Sequence, residues 1–355
     1  MIKTNDKKFV SIIWGYSPQL YNFSAEENYH LHILNIARNL GYKTYVIIKG
    51  TKTSLENDPN FDLGTEVIDY KNIFHFLFQI VKFSIKKSLF YVNSYEWQSF
   101  LIPFLSRKTI FMAHSQPIRK NKAKQYIQNF VYIFFKTIRL NNESEKDFLI
   151  KQRINKGKLF VIPLIVSQKI FHIIDDRAKR SNLVYFGNVT KVKNLETILK
   201  ALKEVATYYP SIKLNIVGEV YDNEFVDQIN NLNLNENIIL HGHKAQNEQL
   251  TNLLNTTIIS INSSISEGQC VSVYDTALCG NVLCLPKIMS FTGVFKDTAL
   301  FHDIHDHKAL AQNIITYLKN PQLTQEHRRK NIEMINKNYS KEAVEKKLRN
   351  LILKI

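Results

Sequence analysis

Short runs of β-branched and aromatic residues alternate with stretches of helical apolar period along the whole chain. In the first half, residues 9–14, 43–49, 89–93, 109–113, 136–140 and 159–162 read as strands. Helical patterns fill the gaps. Ser24-Ala25-Glu26-Glu27 has the form of a capping box opening a helix, and Gly41 is placed to close it. Pro163 follows the last of these strands and marks a hinge region. The alternation then restarts. Strands are expected at 182–186, 213–217, 238–241 and 258–261, with helices at 195–208, 224–232, 248–255 and from near Val271. The tail, 341–353, has the pattern of an amphipathic helix. Strand–helix alternation implies parallel sheets. Two such halves predict an α/β fold of two Rossmann-like domains facing across a cleft, with ligands at the carboxyl ends of the strands. The expected divisions are 1–165, 166–335 and a terminal helix, 336–355, a candidate to pack back on the first domain.

Composition narrows the class. The 45% apolar content is that of a globular chain. No apolar run reaches the roughly 18 residues that cross a bilayer, and the opening MIKTNDKKFV lacks the features of a secretory leader, so neither is expected. Cys270, Cys279 and Cys284 form no disulfide framework and suit a reducing compartment. The net charge of +16 is uneven: residues 1–165 hold 24 Lys and Arg against 12 Asp and Glu, the rest 23 against 19. The excess in the first half suggests an acidic partner, such as anionic lipid, anionic glycan or nucleic acid, beside the plainer reading of a solvated lysine-rich surface. The aromatic-rich stretch 126–135 reads as a core helix, too short for a membrane anchor.

The chain has only 11 glycines, yet Gly187, Gly218, Gly242 and Gly268 each follow an expected strand of the second half, and Gly280 sits at a helix end. Glycine at such places allows tight turns or close ligand approach. The strongest segment runs from Ser266 to Gly280: a strand ends, Glu267-Gly268 follow, and a helix begins. The amides of Gln269, Cys270, Val271 and Ser272 would lie at its N-terminus, where unpaired N–H groups favour a diphosphate. Glu267 and Asp275, eight apart, could face one ligand. A second segment, Phe186-Gly187-Asn188-Val189-Thr190-Lys191-Val192-Lys193, sets two lysines after a strand end, suited to the charge of a leaving diphosphate. No DxD run announces a metal instead.

These segments resemble glycosyltransferase family 4, of the GT-B fold. Glu267-Gly268 and Leu278-Cys279-Gly280 match the ends of its E-x7-E region, with Asp275 in place of the second Glu. Lys193 matches the family's lysine, while Asn188 stands where the family has Arg. The resemblance implies that Glu267 contacts the donor sugar, Lys193 neutralises the leaving group with Lys191 supplementing it, and Asp275 binds ribose hydroxyls. Gly218 resembles the start of a Gly-x-Gly turn, Gly242 and His243 fall where the nucleobase is held, and His114 resembles a strand-end His facing the sugar. Gly15 is the nearest glycine to the family's first loop, on the acceptor side.

The expected activity is retaining transfer of a sugar from a UDP- or GDP-sugar to a glycan or lipid-linked acceptor, as in bacterial surface polysaccharide synthesis, with no cofactor and no metal. Residues 1–165 would be the acceptor side and 166–335 the nucleotide-sugar domain. The expected location is cytoplasmic, with peripheral contact at an anionic inner membrane face a candidate. Competing readings are a nucleotide-sugar epimerase or non-transferring GT-B relative, kept open by Asn188 and Asp275, and a basic nucleic-acid-binding protein, disfavoured by the absence of any nucleic-acid motif.

Overall fold

The computed structural model describes residues 7–13, 29–57, 61, 64–93, 97–112, 122–177, 179–222 and 224–355. The chain divides into two compact units, 1–165 with 341–355, and 166–340. Unit 1 runs β1 (Lys8–Ile13), α1 (Tyr29–Asn39), β2 (Lys43–Ile48), α2 (Lys52–Glu56), β3 (Glu66–Asp69), α3 (Ile73–Ile85), β4 (Leu89–Asn93), α4 (Ile102–Leu105), β5 (Thr109–Met112), α5 (Lys122–Phe134), β6 (Thr137–Leu140), α6 (Glu143–Lys151) and β7 (Leu159–Val161). Its strands pair in parallel in the order β3-β2-β1-β4-β5-β6-β7. Parallel strands covered on both faces read as continuous apolar runs, and β1 and β4 are buried at every position.

Unit 2 runs β8 (Leu183–Phe186), α7 (Leu195–Tyr208), β9 (Leu214–Val217), α8 (Glu224–Asn231), β10 (Ile238–Leu240), α9 (Glu248–Thr256), β11 (Ile259–Ile261), α10 (Val271–Leu278), β12 (Val282–Pro286), α11 (Met289–Thr292), β13 (Ala299–His302), α12 (His307–Lys319) and α13 (Pro321–Tyr339). Its sheet is also parallel, in the order β10-β9-β8-β11-β12-β13. Each unit is thus a doubly wound sheet whose strand order reverses beside its first strand. The chain then returns to unit 1 as α14 (Lys341–Lys354), burying Val344, Leu348, Leu351 and Ile352 in one cluster with Ile33, Ile36 and Ala37 of α1. The sequence reading set the final switch at 336. That position lies inside α13, which runs on because Ile335 and Tyr339 are buried in the unit 2 core, and the break falls at Ser340.

One expectation holds on one face only. Residues 126–135 place Val131, Tyr132 and Phe135 in the core cluster but turn a second apolar face outward. α5 buries Val131 and Tyr132, but Tyr126, Ile127, Phe130, Ile133 and Phe134 are exposed, while the polar Gln128 and Asn129 turn inward. The helical period was right; both faces carry apolar residues, so the pattern could not say which one meets the sheet. The capping box at 24–27 lies outside the described residues.

Candidate active site

In unit 2 the strand order reverses between β8 and β11, which run side by side while their connections leave in opposite directions. Such a reversal opens a crevice at the carboxyl ends of the two strands, and both sequence segments emerge there. Beyond β8, the Gly187 amide donates to the Val217 carbonyl at 2.8 Å, and the Gly218 amide donates to the Gly242 carbonyl at 2.9 Å. The turns after β8, β9 and β10 are thereby tied in series. Gly218 has φ +143°, and a Cβ there would stand 2.2 Å from the Gly187 carbonyl oxygen, so no other residue fits. Asn188 is engaged in the same turn: its Oδ1 accepts from the Glu219 amide at 3.1 Å, and its carbonyl accepts from the Tyr185 hydroxyl at 3.0 Å.

The next residues cross to the β11 side. Lys191–Lys193 form one 3-10 turn, and Asn194 takes a left-handed conformation with φ +54°. Its Nδ2 donates to the Ser263 carbonyl at 3.1 Å, and the Ile265 amide donates to the Val192 carbonyl at 2.9 Å. The Ser263 hydroxyl lies 2.7 Å from the Asn194 carbonyl oxygen and 3.0 Å from that of Lys193. This stitching delivers the Lys193 ammonium to Glu267, with Nζ 2.6 Å from Oε1. The Ser264 hydroxyl donates to the same oxygen at 2.7 Å. Lys193 is 23% and Glu267 10% exposed, so little water screens the pair. Burial opposes the charge on Lys193, but the neighbouring Cys270 and Glu267 outweigh it and hold the ammonium above its ordinary range.

Glu267, Gly268 and Gln269 lead into α10, whose N-cap, Cys270, is left-handed with φ +52° and offers no side-chain cap. The Val273 amide closes on the Cys270 carbonyl at 3.0 Å, and Val271 and Ser272 occupy the first two helical positions. Orphan donors of that first turn are the usual seat of an anion. Burial, reinforced by Glu267 and opposed by Lys193, pushes the Cys270 thiol up to about 12, which makes it a poor nucleophile at neutral pH. Gln269 and Asp275 are buried, Asp275 on the second turn of α10. Gly242 is left-handed, with φ +62°; His243 beyond it is exposed, whereas His241 is held by Asn215 at 2.9 Å. Lys191 is exposed and lines a separate cavity of about 240 Å³ together with Glu196, Asp222 and Glu224. Three carboxylates do not suit a diphosphate, so that cavity is not its seat. His114 and Gly15 lie outside the described residues. Sequence reasoning missed Asn194, Ser263 and Ser264, whose roles depend on β8 and β11 being neighbours; the polar run Asn262-Ser263-Ser264 directly after β11 was their only linear signal.

Residues 167–338 match the family described as "Glycosyl transferases group 1". That match spans nearly the whole of unit 2. The architecture of the whole chain agrees, since its two parallel-sheet α/β units match GT-B glycosyltransferase structures. HepE of Anabaena, solved with UDP, is similar at a TM-score of 0.79 and 15% identity, over 98% of this chain and 100% of that one. S. aureus TarM, solved as a mutant with Fondaparinux, alpha-GlcNAc-glycerol and UDP, gives 0.73 and 12%, over 98% and 99%. Sucrose-phosphate synthase of Thermosynechococcus elongatus gives 0.75 and 14%, over 98% of each chain. No curated protein sequence matches. The chain is a glycosyltransferase, and Lys193, Glu267 and the start of α10 all lie in the region that matches the group 1 family.

Proposed function

We propose that this glycosyltransferase belongs to family 4 and retains configuration as it moves a sugar from a UDP- or GDP-sugar to a glycan or lipid-linked acceptor. The setting we infer is bacterial surface polysaccharide synthesis at the cytoplasmic face of the membrane. The observation that carries this reading is the convergence of Lys193, Glu267 and the α10 N-terminus at the strand-order reversal. A departing nucleoside diphosphate gains negative charge, and a cation and helix amides fixed beforehand stabilise that charge without reorganising. The amides of Gln269 to Ser272 hold the diphosphate, Lys193 neutralises it, Asp275 takes the ribose, Gly242 and His243 border the base, and Glu267 stands at the sugar. Incoming phosphate oxygens compete with Glu267 for Lys193, so donor binding loosens that pair and frees the carboxylate toward the sugar. Attack from the face the leaving group vacates needs no protein nucleophile, and the protein's contribution is positioning and charge. His114 and Gly15 are assigned to the sugar and acceptor sides. No cofactor is invoked.

The test has two stages. Thermal shift against UDP, GDP, ADP and their sugars identifies the donor by mass action. Transfer to glycan and lipid-linked acceptors is then followed, with the anomeric configuration of the product read by NMR. Retention in the product supports the reading; an inverted product, or donor epimerised with no acceptor present, overturns it.

A further inference from the structure

The helical layer over one side of the unit 1 sheet is dressed the wrong way round for a surface facing only water. On α3, Phe76, Ile80 and Phe83 enter the core, yet Phe74, Phe78, Val81 and Ile85, at the 4-3-4 spacing of one helical stripe, face outward. Phe74 is 79% exposed and Ile85 77%. α4, packed beside α3, adds exposed Phe104 and Leu105. The Phe104 ring sits 4.5 Å from that of Phe134 on α5, which in turn lies 5.0 Å from Phe130, so the stripes join into one apolar surface. α5 buries Val131 and Tyr132 but turns more apolar residues outward than inward. Its inner face holds amides, with Gln128 donating to the Tyr132 hydroxyl at 2.7 Å and Asn129 donating to Gln152 at 2.9 Å, while its outer face holds Tyr126, Ile127, Phe130 and Ile133. A contiguous apolar surface of this kind marks an interaction site.

Charge identifies what covers it. Between residues 71 and 142 the sequence carries twelve Lys and Arg and one acid, Glu96. The same arrangement recurs at three successive connections. Ile85 is followed by exposed Lys86 and Lys87 before β4, Leu105 by exposed Arg107 and Lys108 before β5, and Phe134 by exposed Lys136 before β6. Because β4, β5 and β6 are parallel neighbours, these cations line up along the amino end of the sheet, at the border of the apolar surface. We propose that the α3–α4–α5 face docks on an anionic lipid bilayer, with its aromatic side chains entering the headgroup boundary and the five cations meeting lipid phosphates. Aromatic and aliphatic side chains bordered by lysine are the signature of in-plane insertion, and each basic residue near an anionic leaflet contributes about fivefold in affinity. A second copy of this chain is a poor occupant, since pairing would bring two strongly cationic borders together. No helix among the described residues is long and apolar enough to span a membrane, so the docking is peripheral.

Full-length protein is tested by co-sedimentation with vesicles of phosphatidylcholine alone and of phosphatidylcholine with phosphatidylglycerol. The protein should pellet with the anionic vesicles and not with the neutral ones. The exposed pair Phe78→Ser and Phe130→Ser should weaken binding by about tenfold or more at low salt, with the far-UV spectrum unchanged. The set Lys86→Gln, Lys87→Gln, Arg107→Gln and Lys108→Gln should weaken it at least as much, and raised salt should release the wild type. Absence of binding to anionic vesicles overturns the proposal. So does a phenylalanine variant that binds like the wild type, which would mean simple surface electrostatics. A wild-type dimer abolished by that variant, without vesicle binding, would assign the face to self-association and equally overturn it. Sedimentation is read without turnover, so its failure and a failure of the transferase reading stay distinct.

Discussion

Lys193 meets Glu267 at 2.6 Å with both side chains largely withdrawn from water, so neither can be removed without changing the other. Lys193→Ala should lower turnover by about 10²-fold, the scale of losing one preorganised charge-stabilising group, and should weaken UDP or GDP binding measured by calorimetry. Glu267→Gln should also lower turnover but leave nucleoside diphosphate binding equal or tighter, because Lys193 no longer has to leave a carboxylate. A double mutant no worse than the worse single mutant would show that the two act as one unit; fully additive losses, or wild-type turnover in Lys193→Ala, would refute the shared role. Gly218 tests the backbone beneath them. A Cβ at 2.2 Å from the Gly187 oxygen must push the two turns apart, so Gly218→Ala should destabilise unit 2 by roughly 2 kcal/mol or more and weaken donor binding together with it. Stability and donor affinity both at wild-type level would show that the contact between the turns is unimportant.

At the scale of elements, unit 1 contains two buried groups whose titrations affect stability in opposite directions. Glu145, on the first turn of α6, accepts from the Asn141 amide at 2.8 Å, but burial outweighs that bond and raises its carboxyl to about 7. His32 on α1 lies 3.4 Å from Glu345 on α14; burial, helped by Lys341 and Arg139, overrides that carboxylate and lowers the imidazole to about 4. For Glu145 the folded state binds the extra proton between about pH 4.5 and 7, so its stabilising effect is present in acid and lost as pH rises through 7. For His32 the unfolded state binds it between about 4 and 6.5, so stability is lost as pH falls through 6.5. Each spans about 2.5 pH units, worth up to roughly 3 kcal/mol at about 1.4 kcal/mol per unit, with opposite sign. Unit 1 should therefore show a nearly flat profile from pH 4.5 to 6.5. Glu145→Gln should reveal a steep acid loss, and His32→Asn a gain toward acid, both read from amide exchange in β1 and β4. Parallel slopes in the two variants would contradict the assignment. These opposed settings were invisible in the sequence, because Glu145 reads as an ordinary first-turn acid and His32 as one polar residue on α1. The strands were legible, since apolar residues dominate β1, β4 and β5, with Ser11 the one polar residue inside such a run, and so was the start of α10 at Val271. The outward face of α5 was not, because Val131, Tyr132 and Phe135 on one side and Tyr126, Phe130 and Ile133 on the other satisfy the same period. At the candidate site, the linear order Glu267-Gly268 and the position of Lys193 were readable, whereas Lys191 lines another cavity. The Ser263 and Ser264 bonds that bring them together required the β8–β11 adjacency, which no local pattern encodes.

At the scale of the whole molecule, the chain leaves unit 1 after Ile165 and comes back at Lys341. The departure is fixed by the buried Arg139, which donates through Nε to the Ile162 carbonyl at 2.7 Å and through Nη1 to the Tyr91 hydroxyl at 2.9 Å. The return is fixed by α14, whose four buried apolar residues join a cluster made only of unit 1 residues. The two clusters of unit 2 contain residues of unit 2 alone. The last fifteen residues therefore stabilise the unit that begins the chain, although they follow unit 2 directly. Leu348, 1% exposed, is the sharpest probe. Leu348→Ala removes a buried side chain at a cost of about 2–5 kcal/mol, and that loss should fall on unit 1. Hydrogen exchange should show faster opening in β1, β2 and α1, with protection in β8, β11 and α10 unchanged and the UDP or GDP thermal shift retained. Ending the chain at Ser340 should exaggerate the same pattern, exposing unit 1 to proteolysis while unit 2 still binds nucleotide. Equal loss of protection in both units would mean that they unfold as one cooperative body, and unchanged exchange in unit 1 would mean that α14 adds nothing to its stability.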